Sequence, residues 1–237
     1  MKQKGKLYLI PNTLGDSGLE VLPAYVAETA RKLDYFIVEN LRNARRYLVK
    51  LGIKKHGKVI DDLTFYHLDK HLKTHEFQQF LQAAENGHDI GLMSDAGCPA
   101  VADPGAVIVQ LAHEKNIEVV PLVGPSSILL SLMASGMDGQ SFAFSGYLPI
   151  NKAERKKKIQ SLDKIANKQT QIFIETPYRN PHLFKDLLQN CKNQTRLCIA
   201  CNISLESQFI KTKSIQEWKN TTEPDIHKKP CLFLLGK

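Results

Sequence analysis

No stretch of this 237-residue chain approaches the roughly 18 consecutive apolar residues that a membrane-spanning helix needs. Behind Met1-Lys2-Gln3-Lys4-Gly5-Lys6, the apolar run Leu7 to Pro11 is too short for a signal-peptide core, so no membrane attachment and a cytoplasmic location are expected. Cysteine is scarce, odd in number at five and scattered, which argues against a disulfide framework. Cys198 and Cys201 form a C-x-x-C, but within Arg196-Leu-Cys-Ile-Ala-Cys201, which reads as a buried strand. Side chains three apart on a strand face opposite ways, so these thiols are expected in the core and not at a metal. No G-x-G-x-x-G follows the first apolar run and no G-x-x-x-x-G-K-[ST] occurs anywhere. The fingerprints of dinucleotide binding and P-loop nucleotide hydrolysis are therefore missing. There is no internal repeat, no low-complexity tract and no obvious Gly/Ser linker. Acids are also short: 24 Asp and Glu against 32 Lys and Arg leave a formal charge of +8 and a pI near 9.2. That surplus favours an anionic partner, although a merely soluble basic protein would show it equally.

What is present is alternation of short apolar runs with amphipathic stretches, the pattern of α/β architecture. Strands are expected at Leu7 to Pro11, Tyr35 to Glu39, Asp89 to Met93, Glu118 to Leu122, Phe142 to Ser145, Gln171 to Glu175, Arg196 to Ala200, Gln208 to Thr212 and Cys231 to Leu235. Helical patterns run from Leu19 to Lys32, from Asn40 to Leu51 before Gly52, and from His75 to Asn86 before Gly87. Asp103-Pro104 reads as an N-cap and first helical proline for a helix to about Lys115. Gly124-Pro125-Ser126-Ser127 opens an apolar helix to Ser135, and Asn151 with Glu154 resembles a capping box for a basic helix. Asn180-Pro181 is expected to cap a helix to Asn190. The Gly124-Pro125 turn is the best boundary, giving domains 1–123 and 124–237, the second richer in antiparallel pairs.

Three segments fall where parallel α/β sheets place ligands, just beyond strand carboxyl ends: Pro11 to Gly18, Ser94 to Gly105 and Gly124 to Ser127. Each is rich in Gly, Pro and small residues, so backbone N–H and C=O groups can approach a ligand closely.

In order, the blocks are Leu7-Tyr-Leu-Ile-Pro-Asn-Thr-Leu-Gly15, Ser94-Asp-Ala-Gly-Cys-Pro99 with Asp103-Pro-Gly105, Val119-Val-Pro-Leu-Val-Gly-Pro-Ser126, Phe142-Ala-Phe-Ser-Gly-Tyr-Leu-Pro149 and Phe173-Ile-Glu-Thr-Pro-Tyr-Arg179. This succession resembles the tetrapyrrole methylase superfamily, and most nearly its bacterial branch that methylates a ribose 2′-hydroxyl in small-subunit ribosomal RNA. The resemblance implies two α/β domains, with a mainly parallel N-terminal sheet, a mixed C-terminal sheet and S-adenosylmethionine in the cleft between them, usually in a homodimer. It places Ser94, Asp95, Ala96, Gly97, Cys98, Pro99 and Val101 at the cofactor, with hydroxyls from Ser126 and Ser127 and second-domain contacts near Glu175, Asn202 and Pro230. Pro11, Asn12 and Gly15 would face the acceptor.

The sequence departs from that branch on the acceptor side. Glu39-Asn-Leu-Arg42 stands for Glu-Asp-Thr-Arg, His67-Leu-Asp-Lys-His71 for His-Glu-His-Asn, and Cys201-Asn-Ile-Ser-Leu205 for Arg-Glu-Leu-Thr-Lys. The last strand lies at the end of the chain, where the branch usually extends further.

Methyl transfer from a sulfonium is an in-line displacement on an activated carbon, for which positioning can supply roughly 7–11 kcal/mol. Backbone-rich loops without a nucleophile triad suit it. A hydroxyl acceptor also needs a proton acceptor, for which Glu175, Glu39 and His67 are the candidates. His67, His71 and His75 recur at a helical spacing that would admit zinc, but Lys70 and Lys73 favour a solvated face and no metal is expected. Arg42, Arg46, Lys50 and Lys54 recur at i+4 spacing, and Arg155-Lys-Lys-Lys158 adds a second basic cluster. Together with the net charge they favour RNA as substrate. A small acceptor such as a tetrapyrrole, or a non-catalytic S-adenosylmethionine-binding protein, are the alternatives.

Overall fold

The computed structural model describes residues 3–16, 18–56, 59–68 and 74–237. The chain divides into two compact units, Met1–Ser126 and Ser127–Lys237, three residues beyond the turn at which the sequence reading places the boundary.

The first unit holds β1 (Leu7–Ile10), α1 (Ala24–Lys32), β2 (Tyr35–Val38), α2 (Leu41–Lys50), β3 (Thr64–His67), α3 (Gln82–Glu85), β4 (Ile90–Met93), α4 (Gly105–Glu114) and β5 (Val119–Pro121). Its sheet runs β3-β2-β4-β1-β5 and every pairing is parallel. Alternate side chains feed two cores. Leu7, Ile37, Ile90 and Leu92 pack with Phe77, Phe80, Ile108 and Leu111 on one face, and Ile10, Phe36, Val38 and Met93 with Val26, Ala30, Tyr47 and Leu48 on the other. On α2 the buried residues Ala44, Tyr47 and Leu48 recur at helical spacing, and Asn40 caps the first turn by accepting from the Asn43 N–H at 3.1 Å.

Three expectations fail in this unit. The helix predicted from Leu19 is a 3₁₀ turn, Leu19–Val21, followed by α1. Pro23, at φ −58° and ψ 142°, separates the two because the residue is extended and proline offers no N–H to carry helix through it. The amphipathic run before Gly87 is mostly a 3₁₀ helix, Thr74–Leu81, with only α3 in α-geometry. Strand β3 was hidden in Thr-Phe-Tyr-His; because His67 ends a strand, His67, His71 and His75 do not form one helical face, and His71 lies outside the described residues. Among the described residues no cluster could hold a metal ion, and no helix is long and apolar enough to cross a membrane.

The second unit holds α5 (Ser127–Ser135), β6 (Phe142–Tyr147), α6 (Lys152–Ile165), β7 (Thr170–Ile174), α7 (Asn180–Asn190), β8 (Arg196–Cys201), β9 (Phe209–Ser214), α8 (Ile215–Lys219) and β10 (Cys231–Gly236). The sheet is mixed, β6-β7-β10-β8-β9, with β6 parallel to β7 and the other pairs antiparallel. Phe173, Leu197, Ile199, Phe233 and Leu235 face Ile159, Leu162, Leu183, Leu187 and Trp218. Cys201 belongs to that core, whereas Cys198, three residues earlier and so out of phase, faces away from it; all five cysteines are free thiols.

Asn151 caps α6 as expected, accepting from the Ala153 and Glu154 N–H groups at 2.9 and 3.2 Å. Asn180 does not cap α7. It is fully buried, and its Nδ2 donates to the carbonyls of Ile226 and Lys229 at 3.2 and 2.7 Å, clamping the segment before β10. Replacing Asn180 with Ala leaves both carbonyls without that donor, at a cost of about 2 kcal/mol. The chain's single tryptophan, Trp218, is buried in this unit, so its fluorescence should report a lower urea midpoint with an unchanged m-value.

Candidate active site

Because all five strands of the first unit are parallel, their carboxyl ends share one edge. The segments after β1, β4 and β5 meet there. Asn12 and Gly97 exchange backbone hydrogen bonds, Asn12 N to Gly97 O at 2.9 Å and Gly97 N to Asn12 O at 3.2 Å. The buried Asn12 side chain adds Nδ2 bonds to the carbonyls of Ser94 and Asp95 at 3.3 and 3.1 Å. Gly97 sits at φ +69°, a left-handed conformation that glycine adopts without strain. Gly124 lies so close to Pro11 that a Cβ would stand 2.1 Å from the proline Cβ.

The Ser94–Val101 segment is held from several sides. Asp103 Oδ1 accepts from the N–H groups of Ala100 and Gly105 at 3.0 and 2.6 Å, fixing the loop to the start of α4. Burial pushes the Asp103 carboxyl above the usual carboxylate range, against the lowering effect of these bonds, and its Oδ2 is buried with no partner among the described residues. Ala100 and Ala102 adopt φ +65° and +63°, on either side of the exposed Val101. Cys98 Sγ donates to the Gly124 and Pro125 carbonyls at 3.8 and 3.5 Å; burial raises its thiol pKa, so it serves as a weak donor and not as a thiolate. Ser94 Oγ donates to Ala96 O at 3.2 Å, and Ser126 closes the β5 segment.

Beside these loops lies a hollow of about 660 Å³, whose walls include Asn12, Gly15, Asp16, Arg45, Arg46 and Lys50. Asp95 also lines it, with Oδ1 accepting from Asn43 Nδ2 at 3.1 Å. Tyr47, another wall residue, donates from its hydroxyl to Pro11 O at 2.6 Å; burial drives its pKa far upward, so it stays a donor. Asn12, Gly15 and Arg46 of the expected acceptor set thus share one hollow, while Arg42 stands one turn earlier on the exposed face of α2. The expected i+4 basic series stops at Lys50, where α2 ends, and Lys54 belongs to a separate 3₁₀ turn. Sequence reasoning missed Asn43, Arg45 and Tyr47; their spacing from the Asn40 cap, which sets the facing of α2, was the available signal.

Of the proton-acceptor candidates, Glu39 and His67 are neighbours at the ends of the adjacent strands β2 and β3. His67 Nε2 bonds the Glu39 carbonyl at 2.9 Å; a carbonyl only accepts, so Nε2 is the donor. Glu39 lines a smaller hollow of about 290 Å³ with Ala102, Asp103 and Pro104.

In the second unit, Glu175, Asn202 and Pro230 gather at one end of the sheet, since β7 and β8 end where β10 begins. Asn202 N donates to Pro230 O at 3.0 Å. Glu175 is buried, and its Oε1 accepts from Thr176 N at 2.7 Å and from Arg179 Nε and Nη2 at 3.0 and 2.6 Å. Ser127 is the first residue of α5.

Residues 14–219 match the family model of the tetrapyrrole (corrin/porphyrin) methylases. The chain is 31% identical over 225 residues to a ribosomal RNA small subunit methyltransferase I from Halalkalibacterium halodurans, covering 94% of this chain and 71% of that one. A protein of the same name from Vibrio cholerae is 28% identical over 232 residues, covering 97% and 76%. A crystal structure of uroporphyrin-III C-methyltransferase from Thermus thermophilus, complexed with S-adenosylhomocysteine, superposes with a TM-score of 0.58 at 16% identity, covering 98% of each chain, which shows a shared fold. The chain belongs to the tetrapyrrole methylase family. It is an S-adenosylmethionine-dependent methyltransferase.

The close approach at Gly124 is testable by Gly124→Ala. The added methyl collides with the rigid Pro11 ring and forces the β1 and β5 loops apart, so thermal unfolding should show destabilisation of about 1–3 kcal/mol.

Proposed function

We propose that this enzyme methylates a ribose 2′-hydroxyl in small-subunit ribosomal RNA. The observation that carries the reading is kinship along nearly the whole chain with relatives named for that RNA. The cationic wall of Arg45, Arg46 and Lys50 in the larger hollow is consistent with it, because guanidinium and ammonium groups suit a phosphodiester.

The first unit fits its methyl donor. The loop after β4 bends through left-handed backbone at Gly97, Ala100 and Ala102, and the buried Asp103 Oδ2, with no partner among the described residues, has an acceptor to spare. The donor supplies a methyl group already activated on a sulfonium. Ser94 to Pro99, Val101 and Ser126 hold it in this reading, and the same assignment extends to Ser127, Asn202 and Pro230. Asn12, Gly15, Arg45 and Arg46 seat the nucleotide. Arg42, on the exposed face of α2, extends that cationic surface. Asn43 positions the Asp95 carboxylate through its 3.1 Å bond.

Glu39 takes the hydroxyl proton, since it is the carboxylate beside the Ala102–Pro104 segment, and His67 braces it through its main chain. Glu175, with three donors on one oxygen, anchors the turn it shares with Arg179 and is not a base. The enzyme acts as a homodimer; Met133, Tyr147 and Ile150, at 78%, 60% and 73% exposure, supply apolar surface for it. Light scattering at a monomer mass would overturn the dimer.

Deleting the gene and measuring ribosomal RNA nucleosides by mass spectrometry should show one 2′-O-methyl nucleoside missing. An unchanged profile, or methyl incorporation only into a tetrapyrrole, removes the substrate assignment. Glu39→Gln should lower kcat by about 100-fold with little change in KM, and Glu175→Gln should lower thermal stability first.

A further inference from the structure

The charge of +8 is unevenly placed. Residues 1–126 carry 15 Lys and Arg against 15 Asp and Glu, whereas residues 127–237 carry 17 against 9. The second unit therefore holds the entire surplus. Many of its cations are engaged: Arg179 with Glu175, Lys185 with Glu223, Lys229 with Asp225, and Lys213 and Lys228 over the rings of Trp218 and Tyr178. Arg155, which the sequence groups with its lysine neighbours, is engaged too. It pairs with Asp186 at 2.7 Å and donates to the Pro149 and Ile150 carbonyls, so it fastens α6 to α7.

Lys152, Lys156, Lys157, Lys158 and Lys164 on α6, and Lys168 in the turn after it, are different. All six are exposed, and among the described residues no ammonium group of theirs has an ion-pair or hydrogen-bond partner. Ile159, Leu162 and Ala166 turn inward, which puts Lys157 and Lys164 on the line facing straight out, with Lys156 and Lys158 on the two flanks. The one exposed acid of the helix is Glu154, in its first turn; Asp163 is buried, accepting from Thr195 Oγ1 at 2.6 Å. Lys152 and Lys156 are like charges at i,i+4, which repel. A polyanion laid across these lysines relieves that repulsion while releasing counterions.

We propose that the outward face of α6 is a docking ridge for the phosphate backbone of the RNA substrate, governing capture and not the chemical step. This rests on the reading of the substrate as RNA. The test replaces Lys156, Lys157, Lys164 and Lys168 with Gln together, and compares a control in which Lys192, Lys211, Lys219 and Lys237 of the same unit become Gln. Substrate is the small ribosomal subunit from cells lacking the gene, and calorimetry with S-adenosylhomocysteine checks that each variant retains its donor site.

The α6 variant should raise KM about tenfold at near-physiological salt, flatten the slope of log KM against log salt by about 2–3, and leave kcat unchanged. The control should resemble the parent. An unchanged KM and slope, an equal effect in the control, or lost binding to anionic lipid vesicles with RNA capture intact each overturns the ridge. If the parent enzyme methylates no ribosomal RNA while the α6 variant still loses salt-dependent binding to an RNA fragment, the methylation reading falls and the ridge stands. If the parent methylates and the variant matches it, only the ridge falls.

Discussion

The site of the first unit depends on β1 lying between β4 and β5, with all three parallel. That order brings three carboxyl ends side by side, and the mutual Asn12–Gly97 bonds tie two of the following loops into one surface. Packing on both faces of the sheet then leaves the edge as the place where backbone polar groups can turn to a ligand. Small residues are a consequence: Gly97 because the chain turns left-handed there, and Gly124 because the Pro11 ring already fills the space of a side chain.

Much of this was legible. Strands β1, β2 and β4 announced themselves as apolar runs, and the loops between strand and helix by Gly, Pro and capping residues. Two of the failures arise because a local signal depends on a tertiary partner, and a third because a single proline outweighs periodicity. Asn180 before Pro181 looks like a cap, yet its amide is spent on carbonyls 46 and 49 residues away. Thr-Phe-Tyr-His is too short and too polar to read as a strand until β2 pairs with it. Leu19 to Lys32 has helical periodicity throughout, but one prolyl residue in extended geometry decides the start of α1. The capping box that does exist, Ser214 with Glu217, precedes a helix of five residues, too short to show a period.

Within the site, the residues most visible in sequence were those of the loops, and the least visible were those α2 supplies. A helix declares which face is buried but not what its other face overlooks; only the Tyr47–Pro11 and Asn43–Asp95 bonds reveal that α2 walls the hollow. The two glutamates at strand ends make the same point. Glu39 and Glu175 look equivalent as letters, yet one lines a hollow while an oxygen of the other accepts from a guanidinium and an amide.

Ala100 and Ala102 carry a further implication. Alanine in left-handed geometry costs the folded state of order 1–3 kcal/mol per residue, a cost glycine would avoid. Glycine, however, would open many more conformers to the free loop, each of which ligand binding would have to close down. The methyl groups therefore trade some stability for a narrower ensemble, and a loop that has already given up its disorder has less entropy left to lose when it is filled.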